Sequence, residues 1–227
     1  MKIGVMGATG PAGKGLAARL ASLGHDVIAG SRDPARAEAT VAGLRERWES
    51  RVDGLKGGSN ADAAAAAELV VLAVPWDGAV DTAKAHGDAL AGKIVVAMAN
   101  GLERQGREFR AVLPDEGSVS AAVHAAVPDA RVVAAFQHVP AAAFGDLDHP
   151  MESDVVVCAD DDDARSTVLD LIAGIPNLRA FDGGSLANAL GIEAFAAVLL
   201  SINLRHRGKA TLRLLGVEGH VPRGEPG

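Results

Sequence analysis

The chain has 227 residues, 48% hydrophobic and 22% charged, which suits one large globular domain or a domain with a small appendage. A formal net charge of −7, from 29 acidic and 22 basic side chains, argues against sequence-independent nucleic-acid binding, and 3% aromatic residues argue against base-stacking platforms. With no tyrosine and one cysteine, Cys158, the chain lacks a tyrosine general acid, an intramolecular disulfide and a cysteine-based metal site.

The single thiol fits a reducing, cytoplasmic setting. The N-terminus reads directly as a strand rather than a signal region, and no apolar run is read as reaching the roughly 18 residues of a membrane span.

In chain order, Lys2 to Met6 predicts a buried strand that ends in glycines. Gly13 to Leu23 predicts a helix, with Leu16, Leu20 and Leu23 on one face and Gly24 as its stop. Asp26 to Gly30 is a second strand, and Pro34 opens a helix through Trp48. Val52 to Lys56 predicts a short strand, and Asn60 caps an Ala-rich helix through Ala67. Leu69 to Val74 and Lys93 to Met98 are apolar central strands, separated by a helix over 78–90. After a loop come a helix, Ser118 to Val127, and a strand, Arg131 to Phe136.

This alternation predicts a Rossmann-type α/β fold: a doubly wound parallel sheet with right-handed crossovers over residues 1–150. A small C-terminal α/β appendage is expected over 151–215, contributing to the cofactor cleft and to dimer contacts. It comprises a strand from Asp154 to Cys158, a helix from Arg165 to Ile175 with Asp160 to Asp163 at its N-terminus, a strand from Leu178 to Phe181 and a long helix from Ser185 to His206. That helix is apolar on nearly every side over Phe195 to Leu204, which predicts a homodimer built through it. The Pro-, Gly- and charge-rich tail, 216–227, is expected to be disordered.

The turn after the first strand is Gly7-Ala8-Thr9-Gly10-Pro11-Ala12-Gly13. Gly10 and Gly13 match a dinucleotide fingerprint, and Gly7 stands one step before its first glycine position. In that reading Gly10 lets the backbone approach a pyrophosphate, Gly13 lets the helix pack on the strand, and the anion rests on the helix N-terminus. The second strand ends in Gly30-Ser31-Arg32, with Arg36 one helical turn on, and no carboxylate stands at its end. Ser31, Arg32 and Arg36 therefore predict a 2′-phosphate and NADP(H) over NAD(H). Asp33 falls past the strand end.

The segments GATGPAGKGLAARLASLGHDV, GSRDPARAEA, LAVPWDGAVDTA, KIVVAMAN, FQHVPAAAFGDL and VVVCADDDDA together resemble the F420-dependent NADP oxidoreductases, from the N-terminus to about Leu215. The resemblance implies hydride transfer between the nicotinamide of NADP(H) and the deazaflavin coenzyme F420, both bound in one cleft at the carboxyl ends of the strands. It implies that Val74, Pro75, Trp76, Asn100 and Ala141 line the NADP(H) side, and that Gln137, His138, Val139 and Pro140 face the deazaflavin.

The family pattern often carries His where Gln137 stands. In this reading Gln137 donates to a deazaflavin carbonyl, and His138 is the candidate to supply the accompanying proton. The basic run Arg205, Arg207, Lys209 and Arg213 either attracts the anionic tail of that coenzyme or is a solvated helix end. No metal site is expected. Alternatives are an NADPH-dependent reductase of a flavin, ferric iron or a small imine, and a non-catalytic NADP sensor.

Overall fold

The computed structural model describes residues 1–222. The first half alternates as expected: β1 (Lys2–Met6), α1 (Pro11–Ser22), β2 (Asp26–Ser31), α2 (Pro34–Trp48), β3 (Leu55–Ser59), α3 (Asn60–Ala66), β4 (Leu69–Leu72), α4 (Trp76–Ala85), α5 (Gly87–Leu90) and β5 (Ile94–Ala97). A hairpin follows, β6 (Leu102–Gln105) and β7 (Glu108–Ala111), in a stretch read as loop. Then come α6 (Val119–Ala126), β8 (Arg131–Ala134), α7 (Ala141–Phe144), β9 (Ser153–Ala159), α8 (Asp162–Ala173), β10 (Leu178–Asp182) and α9 (Ala189–His206).

Local chemistry explains the boundaries. Pro11 and Pro34 each stand at a helix start, where a missing N–H costs nothing. The third helix is capped by Ser59, not by Asn60 as expected. Ser59 Oγ accepts from Asp62 N at 3.0 Å and Asp62 Oδ2 accepts from Ser59 N at 2.8 Å, a reciprocal box that frees the Asn60 side chain. Asp161 caps α8 through Ala164 N at 2.7 Å, and Asp162 and Asp163 fill its first turn, as the acidic run predicts.

One sheet of eight strands runs β10-β9-β8-β5-β4-β1-β2-β3. Its pairs are parallel except β8 with β9. Both faces are covered, so the central strands are apolar on both sides. Ile3, Val5, Leu69 and Val71 pack toward α1, α2 and α8, while Met6, Val70, Leu72 and Val95 pack toward α3, α4 and α6.

The appendage expected after residue 150 has its elements, but β9 and β10 extend the same sheet. Their apolar residues Val155, Val157, Leu178 and Ala180 join the core of Ile3 and Leu16, so there is no separate layer at that boundary.

The expected disorder of the tail gives way to packing over 216–222. Asp154, with no exposed surface, anchors the approach: Arg179 donates to both its carboxylate oxygens at 2.8 and 2.5 Å, and Leu214 N adds a third bond at 2.5 Å. His220 N then donates to Ala180 O at 2.7 Å, and the His220 ring meets Asp170 at 2.6 Å. Residues 223–227 of that tail lie outside the described residues.

The last helix corrects one expectation. The segment Leu186–His206 is, by length and composition alone, long and apolar enough to cross a membrane, although no such run was read in the sequence. Within this fold it packs on the hairpin, where Ser201 Oγ accepts from Phe109 N at 2.8 Å, and Glu193 ties it to α6. Its burial is also partial. Ala196 and Leu199 are covered, while Leu190, Phe195, Val198 and Ile202 are 39–48% exposed.

Candidate active site

The cleft begins at the carboxyl end of β1. Gly7 turns the chain with φ +82°, and a Cβ there would lie 2.7 Å from Ala73 O. A Cβ on Gly13 would lie 2.7 Å from Gly7 O, so only glycine lets α1 sit this close to the strand. Helix α1 has no side-chain cap at Gly10, which leaves its first backbone N–H groups for an anion.

A groove of about 660 Å³ runs over this turn, lined by Gly7, Thr9, Gly10, Ser31, Arg32, Arg36, Val74 and Pro75. These residues were expected at an NADP(H) site, and the fold gathers them. Asp33 does not compete for a ribose, because its carboxylate caps α2 through Ala35 N at 3.1 Å and Arg36 N at 3.4 Å. Ser31 Oγ accepts from Asp33 N at 3.1 Å, which leaves its hydroxyl hydrogen free to donate. Arg32 and Arg36 are exposed and unpaired with carboxylates among the described residues.

Several groove residues were missed from sequence, among them Asn60 and Thr82. Asn60, freed by the capping box, accepts from Gly7 N at 3.3 Å and braces the turn. Thr82, in the second turn of α4, lines the wall. Trp76 is displaced from its expected place: it opens α4 and packs on the core below it, while its neighbours Asp77 and Gly78 face the groove.

Pro11, with Thr9, Arg36 and Ala141, lines a second groove of about 730 Å³ that leads from the phosphate turn toward α7. A smaller cavity of about 230 Å³ follows, between the ends of β5 and β8 and the face of α9. Ala12, Asn100, Gln137, His138, Val139, Pro140 and Ala141 meet around it, closed by Ala196, Leu199 and Leu200 of α9. Gly13 and Trp76 are the expected residues that line none of these spaces.

The wall that carries Pro140 and Ala141 is held by an arginine that sequence reasoning overlooked. Arg19, in α1 and only 5% exposed, donates to Phe144 O and Ala143 O, each at 3.3 Å, to His149 O at 3.4 Å and to Asp146 O. Its partners are backbone carbonyls more than a hundred residues away, which no local pattern announces.

The polar groups of the cavity have partners within the fold. Gln137 Nε2 donates to Ala97 O at 2.9 Å, which commits one of its two side-chain N–H groups within the sheet. His138 Nε2 bonds to Ile192 O at 2.5 Å, with its ring edge-on to Phe195 at 5.6 Å. Burial lowers the His138 pKa, against a smaller opposing effect of the Ile192 carbonyl. Through the bond to Ile192 O the His138 ring ties the end of β8 to α9. Of the basic run, Arg205 pairs with Glu108 at 3.2 Å and Arg213 lies 3.6 Å from Asp154, while Lys209 borders a neighbouring groove of about 410 Å³.

Comparison with known proteins agrees with this architecture. Residues 2–101 match the family described as NADP oxidoreductase coenzyme F420-dependent. The chain is 35% identical to the F420-dependent NADP reductase of Methanocaldococcus jannaschii, over 96% of this chain and 100% of that one. It is 34% identical to the enzyme of the same name from Methanothermobacter marburgensis, over 91% and 94%. A crystal structure from Arthrobacter sp. FB24, described as an F420-dependent NADP-reductase, superposes with a TM-score of 0.78 at 29% identity, over 91% of this chain and 95% of that one. An imine reductase from Streptomyces aurantiacus, 20% identical with a TM-score of 0.59 over 90% and 61%, shares the fold. The chain belongs to the F420-dependent NADP reductase family.

Proposed function

We propose that this protein transfers a hydride between NADP(H) and coenzyme F420. The observation that carries the proposal is one path along the strand ends. The uncapped α1 turn and the Ser31-Arg32-Arg36 cluster lie at one end, and an apolar cavity walled by α9 lies at the other. The residues fit the coenzymes. Free N–H groups at α1 suit a pyrophosphate, guanidinium groups unpaired among the described residues suit a 2′-phosphate, and the cavity keeps two buried acceptors without partners among those residues, Asn100 Oδ1 and Gln137 Oε1.

When bound, the coenzymes supply the reacting carbons, nicotinamide C4 and deazaflavin C5. The chain binds, orients and excludes water. Val139, Pro140, Leu199 and Leu200 give flat apolar walls, and Arg19 keeps the loop beyond Pro140 in place. His138 holds α9 against the cavity through Ile192. The direct test follows the visible absorbance of F420 on mixing with NADPH.

The working unit in this reading is a homodimer. Leu190, Phe195, Val198 and Ile202 recur at helical spacing on the outer face of α9, whose inner face forms the cavity wall. A second copy burying that stripe would stiffen the wall. A cytoplasmic setting suits Cys158, which is unpaired and buried, with its thiol pushed up to about 11 by burial and by the Asp182 charge.

A further inference from the structure

We propose that Gln137 Oε1 and Asn100 Oδ1 are the two acceptors for the carboxamide NH2 of the nicotinamide, so that Gln137 selects the pyridine coenzyme rather than the deazaflavin. The inference rests on the NADP(H) reading above and reassigns one residue within it.

Amide orientation is settled by the neighbours of each nitrogen. Gln137 Nε2 donates to Ala97 O at 2.9 Å, and Asn100 Nδ2 donates to Gln137 O at 3.0 Å. Turning either amide over would set oxygen against oxygen, so the atoms left over are both acceptors. Both oxygens are buried and lack a partner among the described residues. Gln137 is 7% exposed. Among those residues, the other such orphans are Trp48 Nε1 and His124 Nδ1, and neither residue lines this cavity. The bond from Asn100 to the backbone of residue 137 keeps the two amides side by side on one wall.

Each side-chain nitrogen seen to donate in the cavity already has one partner within the fold. Besides the two amides, His138 Nε2 bonds to Ile192 O and Asn203 Nδ2 donates to Ala210 O at 3.4 Å. Among the described residues, the buried side-chain polar atoms of the cavity left wholly without a partner are therefore the two acceptors. The pyrimidinedione edge of a deazaflavin carries one N–H between two carbonyls, and so brings a single donor to these two acceptors. A carboxamide NH2 brings two donors to two acceptors. Each orphaned acceptor is unfavourable until such a donor arrives, which makes the pair discriminating.

The test is calorimetric titration of the full chain with four ligands: NADP⁺, its 3-acetylpyridine analogue, in which a methyl ketone replaces the carboxamide, 2′,5′-ADP, which lacks the pyridine ring, and coenzyme F420. Wild type should bind NADP⁺ about tenfold more tightly than the analogue. Gln137→Met should lose most of that preference, and Asn100→Ala should lose it likewise. The Kd of 2′,5′-ADP should stay within about twofold in both variants, which shows that each has folded. Wild type binding NADP⁺ and the analogue equally, or Gln137→Met keeping the preference while losing affinity for F420, would overturn the inference and leave the NADP(H) reading standing. Failure of wild type to bind NADP⁺ or 2′,5′-ADP would overturn both.

Discussion

Glu193, near the start of α9, accepts from Ser120 twice, from its backbone N–H at 3.0 Å and from its hydroxyl at 2.7 Å, and from Val119 N at 2.7 Å. A buried carboxylate thus occupies the N-terminus of α6 and locks the cavity wall to the sheet domain. Burial raises the Glu193 pKa, and the three donors only partly oppose that shift. A raised folded pKa means that its contribution to stability is greatest below the unfolded value and is lost as pH rises through the folded one. The melting temperature of wild type minus that of Glu193→Gln should therefore fall as pH is raised from about 4 to 7. Glu193→Ala, which leaves two backbone donors without a partner, should lower stability by about 1–3 kcal/mol in thermal denaturation at neutral pH.

Arg32 and Arg36 flank Ser31 at the end of β2 with no competing carboxylate. Arg32→Ala should raise KM for NADPH by about tenfold or more and leave KM for NADH nearly unchanged, because only the former carries the 2′-phosphate. Steady-state kinetics with both coenzymes check this. Equal effects on the two would remove Arg32 from the phosphate site.

Asp154 secures the segment after Thr211. Burial alone would raise its pKa, but the Arg179 guanidinium, the Leu214 N–H and the Arg213 charge outweigh burial and hold the carboxyl below its usual range. A depressed pKa contributes stability above the unfolded value and loses it as pH falls through the folded one. Hydrogen exchange over 212–220 should be slow near pH 6 and accelerate on acidification below about pH 4, after correction for intrinsic rates. Asp154→Asn should bring fast exchange to pH 6, with the β1–α1 region unaffected.

The exposed stripe Leu190, Phe195, Val198 and Ile202 is the surface proposed for the dimer contact. Sedimentation velocity at micromolar concentration should give a dimer for wild type and a monomer for Val198→Asp, which places an uncompensated charge in the contact. A monomeric wild type would leave the stripe without this partner.

Much of this was legible in the sequence for definite reasons. The β1–α1–β2–α2 unit announces itself because apolar runs, proline at helix starts and the Gly7–Gly13 turn all agree. Ser31 and Arg32 are legible because the strand end fixes where a ribose or phosphate must lie. The β6–β7 hairpin was not, since Glu103, Arg104, Gln105, Glu108 and Arg110 give no alternating apolar face, and its strands owe their order to packing against α9. Its one local signal was Gly106, which opens a two-residue loop at φ +61°. Asn60 was misread as a cap because Ser59-x-x-Asp62 was overlooked. The roles of Gln137 and His138 depend on carbonyls of Ala97 and Ile192, forty or more residues away, and no spacing rule reports such partners.

The central claim is tested most directly by mixing the purified protein with NADPH and coenzyme F420 and following the deazaflavin's visible absorbance, with NADH as control. The account predicts rapid bleaching with NADPH and little with NADH. No bleaching while NADPH is demonstrably bound would contradict it and turn attention to another hydride acceptor.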